Sequence, residues 1–321
     1  VVTLSGSLAP SGILVNSPYS VEWKGDGTVD GACALKKLGS GSLILQQDNT
    51  FTGATTIWNG SLINNGILSG SKVAVKAFAT LGGKGRFGQP VELAHLSNLE
   101  AGTIVGDIAA LRFDQHLKLT GSTTLFIDVQ LSGNKVLAHD TLHIGGEFSF
   151  AESTTLQLRT GTYPLVPGNY TLITCAGKLT GELSKMSIKG VPSYLSYSLT
   201  EKNGNITLSV AAPAILTWQG AENNRWDNGV SNNWVMGDLT RGFNGNDSVL
   251  FNDETSTRSI SITENVIPAH VFVESDGNYS FGGTGSIGGN GGLTKKGISS
   301  LVLSSVNSFT GPLVIEGGSV V

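Results

Sequence analysis

The sequence predicts an all-β chain folded as a solenoid of stacked coils, and three observations predict it. The two ends of the chain repeat one another without a gap, the apolar residues inside each copy alternate with period two, and Gly, Ser and Thr (44, 35 and 29 of 321 residues) make up a third of the chain. Small residues at that density supply tight corners between short strands. A long-range internal repeat signals an architecture in which each unit buries its apolar face against its neighbours.

The repeat comes first because it fixes the organisation. Residues 35–63 read LKKLGSGSLILQQDNTFTGATTIWNGSLI and residues 293–321 read LTKKGISSLVLSSVNSFTGPLVIEGGSVV, at an offset of 258. Leu35, Lys37, Gly39, Leu43, Leu45, Asn49, Phe51, Gly53, Ile57 and Gly60 all recur. The same offset extends backward, placing Pro10 on Pro268, Ile13-Leu14-Val15 on Val271-Phe272-Val273 and Trp23 on Phe281, so that all of 1–63 aligns with all of 259–321. The sequence therefore reads as opening inside one unit and closing inside the next, a tandem array with a period near 258 residues. Within each copy Leu43, Leu45 and Ile57 stay apolar on alternate positions, which predicts strands with those side chains inward. Gly39, Gly53 and Gly60 fall between the strands, and no stretch carries a convincing amphipathic helix. At roughly 20 to 30 residues per coil, the solenoid reading predicts coils spaced about 4.8 Å apart, parallel pairing and an elongated rod.

The two copies resemble the autotransporter-associated β-strand repeat, also called the passenger-associated transport repeat, whose pattern runs L-x-K-x-G-x-G-x-L-x-L-x-x-x-N-x-[FY]-x-G. The first copy fills nearly every slot; the second departs at Ile298-Ser299, where the second glycine is missing, and at Pro312. Residues 73–93 are similar to the family's following coils. GSTTLFIDVQ, HDTLHIGGEFSF and residues 163–183 resemble the coils that close such a stack. The resemblance implies a right-handed parallel β-helix in a secreted or surface-exposed bacterial protein, and it implies no reaction.

A composition change marks a second boundary. After NGNITLSV the chain passes through Ala211-Ala212-Pro213-Ala214 and becomes aromatic, with Trp218, Trp226 and Trp234 at intervals of eight. This places a linker at 211–215 and divides the chain into 1–212, the rear of one module, and 213–321, the front of the next.

Composition narrows the function. A net charge of −4 without Lys/Arg clusters disfavours a nucleic-acid surface, and no apolar run reaches the length that spans a bilayer. Charged residues are 14% of the chain, too scattered to suggest the paired carboxylates of a glycosidase. GxGxxG occurs at 83–88 and 283–288, but neither site precedes a helix, and the companion copy puts Asp30 in place of the third glycine; solenoid corners explain both better than a dinucleotide site. His139 and His143 stand four apart, a zinc spacing on a helix, whereas on one strand they would sit on one face as exposed side chains with no third ligand. Asp26, Asp30, Asp247 and Asp253-Glu254 fit Asx turns better than a calcium cage. Lys37 and Lys295 read as repeat architecture rather than as a base. No GxSxG elbow occurs, and Cys33 and Cys175 read as two unpaired buried thiols. No cofactor or metal is expected.

Two functions compete. The first is a non-enzymatic stalk, adhesin or fibre segment whose partners are neighbouring repeat modules, other copies of itself or surface glycans. The second is a carbohydrate-binding scaffold beside, or within, a polysaccharide-degrading β-helix enzyme, with Trp58, Trp218, Trp226 and Trp234 as candidate sugar contacts. The alignment separates the tryptophans: Trp23 falls on Phe281 and should be buried, whereas Trp58 falls on Glu316 and should meet water. For Trp218, Trp226 and Trp234 a packed module cap is the stronger reading.

Overall fold

A computed structural model describes residues 1–132, 135–161, 165–191, 195–211 and 215–321. The described residues are strands and corners; they include no α-helix, and one 3-10 turn, Leu183–Lys185, stands among the strands. The chain divides into two compact units. One comprises Val1–Val191 with Tyr197–Val210, and the other Ala211–Val321, with residues 192–196 grouped to it. The linker expected at 211–215 falls mainly on 212–214, outside the described residues.

In the first unit the chain winds over three sheets in turn. Its opening sheet stacks Val2–Leu4, Val21–Gly25, Ser42–Leu45, Ser61–Asn64, Thr80–Gly83, Asn98–Ala101, Thr123–Ser132, Thr154–Arg159 and Met186–Lys189, each parallel to the last. A second sheet carries Ile67–Leu68, Arg86–Phe87, Ala110–Phe113, Thr141–Ile144 and Gly168–Cys175. A third runs from Gly12–Asn16 through Ala34–Leu38 and Thr55–Ile57 to Leu179–Thr180. Period-two alternation turns one side chain in two inward, and parallel register then stacks like on like. Leu43, Leu62, Leu81, Leu99, Leu125 and Leu156 are successive partners, all buried. Full burial of each stabilises by about 1.5–3 kcal/mol, so the ladder holds the coils together along their whole stack. On the second sheet Phe87 and Phe113 stack with ring centroids 5.4 Å apart.

Coil length varies. Ser42 and Ser61, 19 residues apart, are neighbours, whereas Thr155 and Ser187, 32 apart, are neighbours later in the stack. The longer coils carry extra structure, including an antiparallel hairpin between Thr123–Ser132 and Lys135–His139. Antiparallel pairing returns where Asn205–Ala211 lies against Gly168–Cys175 and supplies the unpaired edge of that sheet with a partner.

The second unit repeats the plan. Ile215–Trp218, Ser248–Phe251, His270–Glu274, Gly292–Lys296 and Leu313–Ile315 form a parallel run, to whose first strand Trp234–Met236 and then Leu239–Arg241 add antiparallel. Arg225–Trp226, Ser259–Ile262, Tyr279–Gly282, Ser300–Leu303 and Ser319–Val320 form another. The 258-residue offset holds for pairing as well as for sequence. Leu35 pairs with Thr55 as Leu293 pairs with Leu313, Val15 with Lys37 as Val273 with Lys295, and Ser42 with Ser61 as Ser300 with Ser319.

Candidate functional site

The repeat motif builds one corner twice. Lys37 is fully buried, and its Nζ donates to the carbonyls of Leu38 (2.6 Å), Gly39 (2.9 Å) and Asn59 (3.1 Å). Lys295, equally buried, donates to the carbonyls of Lys296 and Gly297. Burial pushes both amines below the ordinary lysine range, opposed at Lys295 by the Asp276 and Asp253 charges, and the carbonyls compensate the cation at both. Gly39 and Gly297 turn the chain with φ of 69° and 77°; a Cβ would lie 2.5 Å from the Ser17 carbonyl oxygen at one and 2.3 Å from that of Ser275 at the other, so only glycine fits.

Asn49 and Asn307 hold a second corner, after the strands Ser42–Leu45 and Ser300–Leu303. Asn49 Oδ1 accepts from the Val29 N–H and its Nδ2 donates to the Gln47 carbonyl; Asn307 does the same with Ile287 and Ser305. Each amide ties its own turn to the backbone of the preceding coil. The departures of the second copy are local: Ser299 spends its hydroxyl on the Ser275 carbonyl, and Pro312 still offers the carbonyl that Leu293 needs, as Ala54 does for Leu35. The lysines, glycines and asparagines of the motif are thus committed to these turns.

The tryptophans separate. Trp218, Trp226 and Trp234 are buried and packed edge to face, with Trp218 and Trp234 centroids 4.9 Å apart and Trp226 and Trp234 5.5 Å apart. Phe243, Phe251 and Phe281 complete the cluster. Burial removes these three indoles from the candidate sugar contacts, because no ring face is left for a ligand. Trp58 is 52% exposed, with Lys76 Nζ 5.4 Å from its ring centroid, whereas Trp23 is buried.

The remaining candidates are turn chemistry. Gly83 and Gly283 of the two GxGxxG stretches are corners with φ of 116° and 117°. His139 and His143 stand on two strands, Lys135–His139 and Thr141–Ile144, rather than on one. Both are half-buried rather than exposed, because the chain turns at the buried Asp140 between them. No group of three or more His, Cys, Asp or Glu side chains gathers to hold a metal among the described residues. Asp253 accepts from the N–H groups of Asp276 and Gly277 and the Ser275 hydroxyl, which hold its carboxyl below the usual range. Asp247 pairs with Arg241 and accepts from the Asn244 N–H. Cys33 and Cys175 are buried and free.

One charged cluster escaped the sequence reading, since its members lie far apart in the chain. Arg159 Nε donates to Asp128 at 2.6 Å and its terminal amine to Glu100 at 2.7 Å. Asp128 also accepts from the Gly106 N–H, and Asp140 accepts from the N–H groups of Ala109 and Asp128. Burial pushes Asp140 up to about 7. Every carboxylate oxygen of Asp128 and Asp140 is taken, so the pair anchors the hairpin and its neighbouring loop rather than facing a substrate.

Comparison with known proteins agrees with the geometry. The family model described as Passenger-associated-transport-repeat matches residues 35–63 and 293–321, the two stretches whose corners are described above. The chain is also 24% identical over 346 residues to the Adhesin BmaC autotransporter of Brucella suis biovar 1 (strain 1330). That alignment covers 91% of this chain and 10% of the relative, so the chain spans about a tenth of its length. The chain is a β-solenoid that carries two passenger-associated transport repeats.

Proposed function

We propose that the chain is a non-catalytic module of a surface-exposed passenger, a stalk or adhesin segment built to stack in tandem with modules of its own kind. The observation that carries this reading is that strand positions and pairings in 1–63 recur in 259–321 at the 258-residue offset. The adhesin relative and the repeats support a surface passenger, and the use of the motif's lysines, glycines and asparagines in corners and of its leucines in the core supports a structural role.

The stacking follows from what covers the repeated coil. In the second unit Ile262, Val266, Val271, Phe281 and Ile287 are buried in a cluster with Leu216, Trp226, Phe243 and Phe251. Their counterparts Leu4, Leu8, Ile13, Trp23 and Val29 line an open apolar hollow, in which Leu8 is exposed. An apolar face of that kind marks an interaction surface, and a segment like 215–258, whose residues cover the equivalent coil in the second unit, is the proposed cover.

Fusing a second copy of residues 215–258 directly before Val1 tests this, since residue 258 runs straight into the second copy of the coil at 259. Amide exchange across residues 2–29 should slow to the rate seen at 260–287. Unchanged exchange, with the added segment itself unprotected, would count against the module reading.

A further inference from the structure

The outer face of the second sheet carries a ladder that neither the repeat nor the aromatic cap explains. In-register pairing places Arg86 beside Arg112, Arg112 beside His143, and His143 beside Thr174, and Asn205 pairs with Thr174 across the last step. These side chains alternate with the buried Phe87, Phe113, Ile144 and Cys175, so all five point outward. They line a groove of about 670 Å³ that Asp114, Gly145 and Asn203 also border.

The groups along this groove are not equivalent. Arg86 is committed, with its Nε 2.7 and 2.8 Å from the two carboxylate oxygens of Asp114. His143 is braced on both ring nitrogens, one 2.8 Å from Thr174 Oγ1 and the other 3.2 Å from Thr141 Oγ1. Burial and the Arg112 charge both lower its pKa. Arg112 is exposed and makes no ion pair or side-chain hydrogen bond among the described residues. The Arg side chains at 86, 159, 241 and 258 all pair with carboxylates. An unpaired guanidinium, flanked by a second arginine and by neutral hydroxyl and amide groups, presents a planar fork suited to an oxyanion.

We propose that this groove binds an acidic glycan, with Arg112 taking a carboxylate or sulfate of the chain, Thr174 and Asn205 taking its hydroxyl groups, and His143 bracing the Thr174 hydroxyl. A polyhydroxylated ligand fits because guanidinium, hydroxyl and amide groups line a groove that is open to solvent. The site lies wholly within the first unit and does not depend on the tandem-module reading.

Calorimetric titration of the whole chain with polygalacturonate, heparin, dextran and polyglutamate tests it, the first two separating carboxylate from sulfate. Binding to at least one acidic glycan and not to dextran is expected. Arg112→Gln should weaken that binding by about tenfold or more, the effect of losing a charge-assisted pair, and Arg112→Lys should restore part of it. Arg225→Gln, which makes the same change of net charge in the other unit, should leave affinity unchanged. The proposal is overturned by no binding to either acidic glycan, by equal losses in the two glutamine variants, or by polyglutamate binding as tightly as the glycans.

Discussion

Replacing Trp226 by alanine perturbs the second unit where its packing is densest. The indole is fully buried and meets Trp234, Phe243, Phe251 and Phe281 at centroid distances of 5.5, 5.6, 5.4 and 6.0 Å. Truncating a buried large aromatic costs about 3–5 kcal/mol, and three edge contacts with one tilted one put this site at the upper end. The indole N–H finds no acceptor among the described residues. Trp226→Phe therefore keeps a ring while removing an unsatisfied donor whose burial costs about 1–3 kcal/mol, and the net loss should be about 1 kcal/mol or less. Trp58→Ala is the control: the ring is half in water, and its Lys76 contact is worth about 0.5–1 kcal/mol at an exposed site. Urea melts give the totals, and peptide-resolved hydrogen exchange locates them. Exchange should rise across 215–287 in the Trp226→Ala variant and stay unchanged across the coils of the first unit. Equal losses at Trp226 and Trp58, or a phenylalanine variant as damaged as the alanine one, would refute the reasoning.

Further expectations concern the corner, the buried histidine and the open edge. Lys37→Met keeps the stem but leaves the carbonyls of Leu38, Gly39 and Asn59 without their donor; a loss of about 1–3 kcal/mol in a urea melt is expected, and no loss would mean that desolvation of the ammonium cancels its hydrogen bonds. His270 is buried, which lowers its pKa to about 4 from 6.5. The unfolded chain then binds the extra proton between those values, so stability is complete above pH 6.5 and falls as pH drops toward 4. The loss is up to about 3 kcal/mol, and His270→Gln should flatten it; an unchanged pH profile in that variant would assign the loss to other groups. Leu313–Ile315 is the last strand of its sheet, with all three side chains exposed. Concentration-dependent association in sedimentation is expected to weaken in Val314→Lys, because an edge lysine opposes strand addition, and equal association in both proteins would place the contact elsewhere.

Much of the solenoid was legible because its determinants are local. Alternation turned Leu43 and Leu45 inward, glycine turned the chain at Gly39, and the ungapped alignment separated Trp23, matched to Phe281, from Trp58, matched to Glu316. What sequence could not supply was which distant residues become neighbours. His139 and His143 looked like one strand because the turn at Asp140 depends on hydrogen bonds to Ala109 and Asp128. The intervals of eight between Trp218, Trp226 and Trp234 said nothing of direction, and burial among Phe243 and Phe251 decided it. Arg86, Arg112 and His143 align only because coils of unequal length close in register, 26 residues in one step and 31 in the next; no fixed spacing reveals such a ladder. The antiparallel hairpin at 123–139 was hidden for a similar reason, since its outer strand interrupts a run of parallel coils.

The central claim, that residues 1–63 and 259–321 are one structural piece occurring twice, is tested most directly by matched cross-linking. Ser42 and Ser61 hydroxyls lie 2.7 Å apart and Ser300 and Ser319 hydroxyls 2.8 Å apart, on neighbouring coils at the same offset. The Ser42→Cys/Ser61→Cys and Ser300→Cys/Ser319→Cys variants should each react with dibromobimane to give an intramolecular fluorescent bridge, at comparable rates, while Cys33 and Cys175 stay buried and unreactive. Bridging at one pair without the other, or at neither, would contradict the repeated coil on which the account stands.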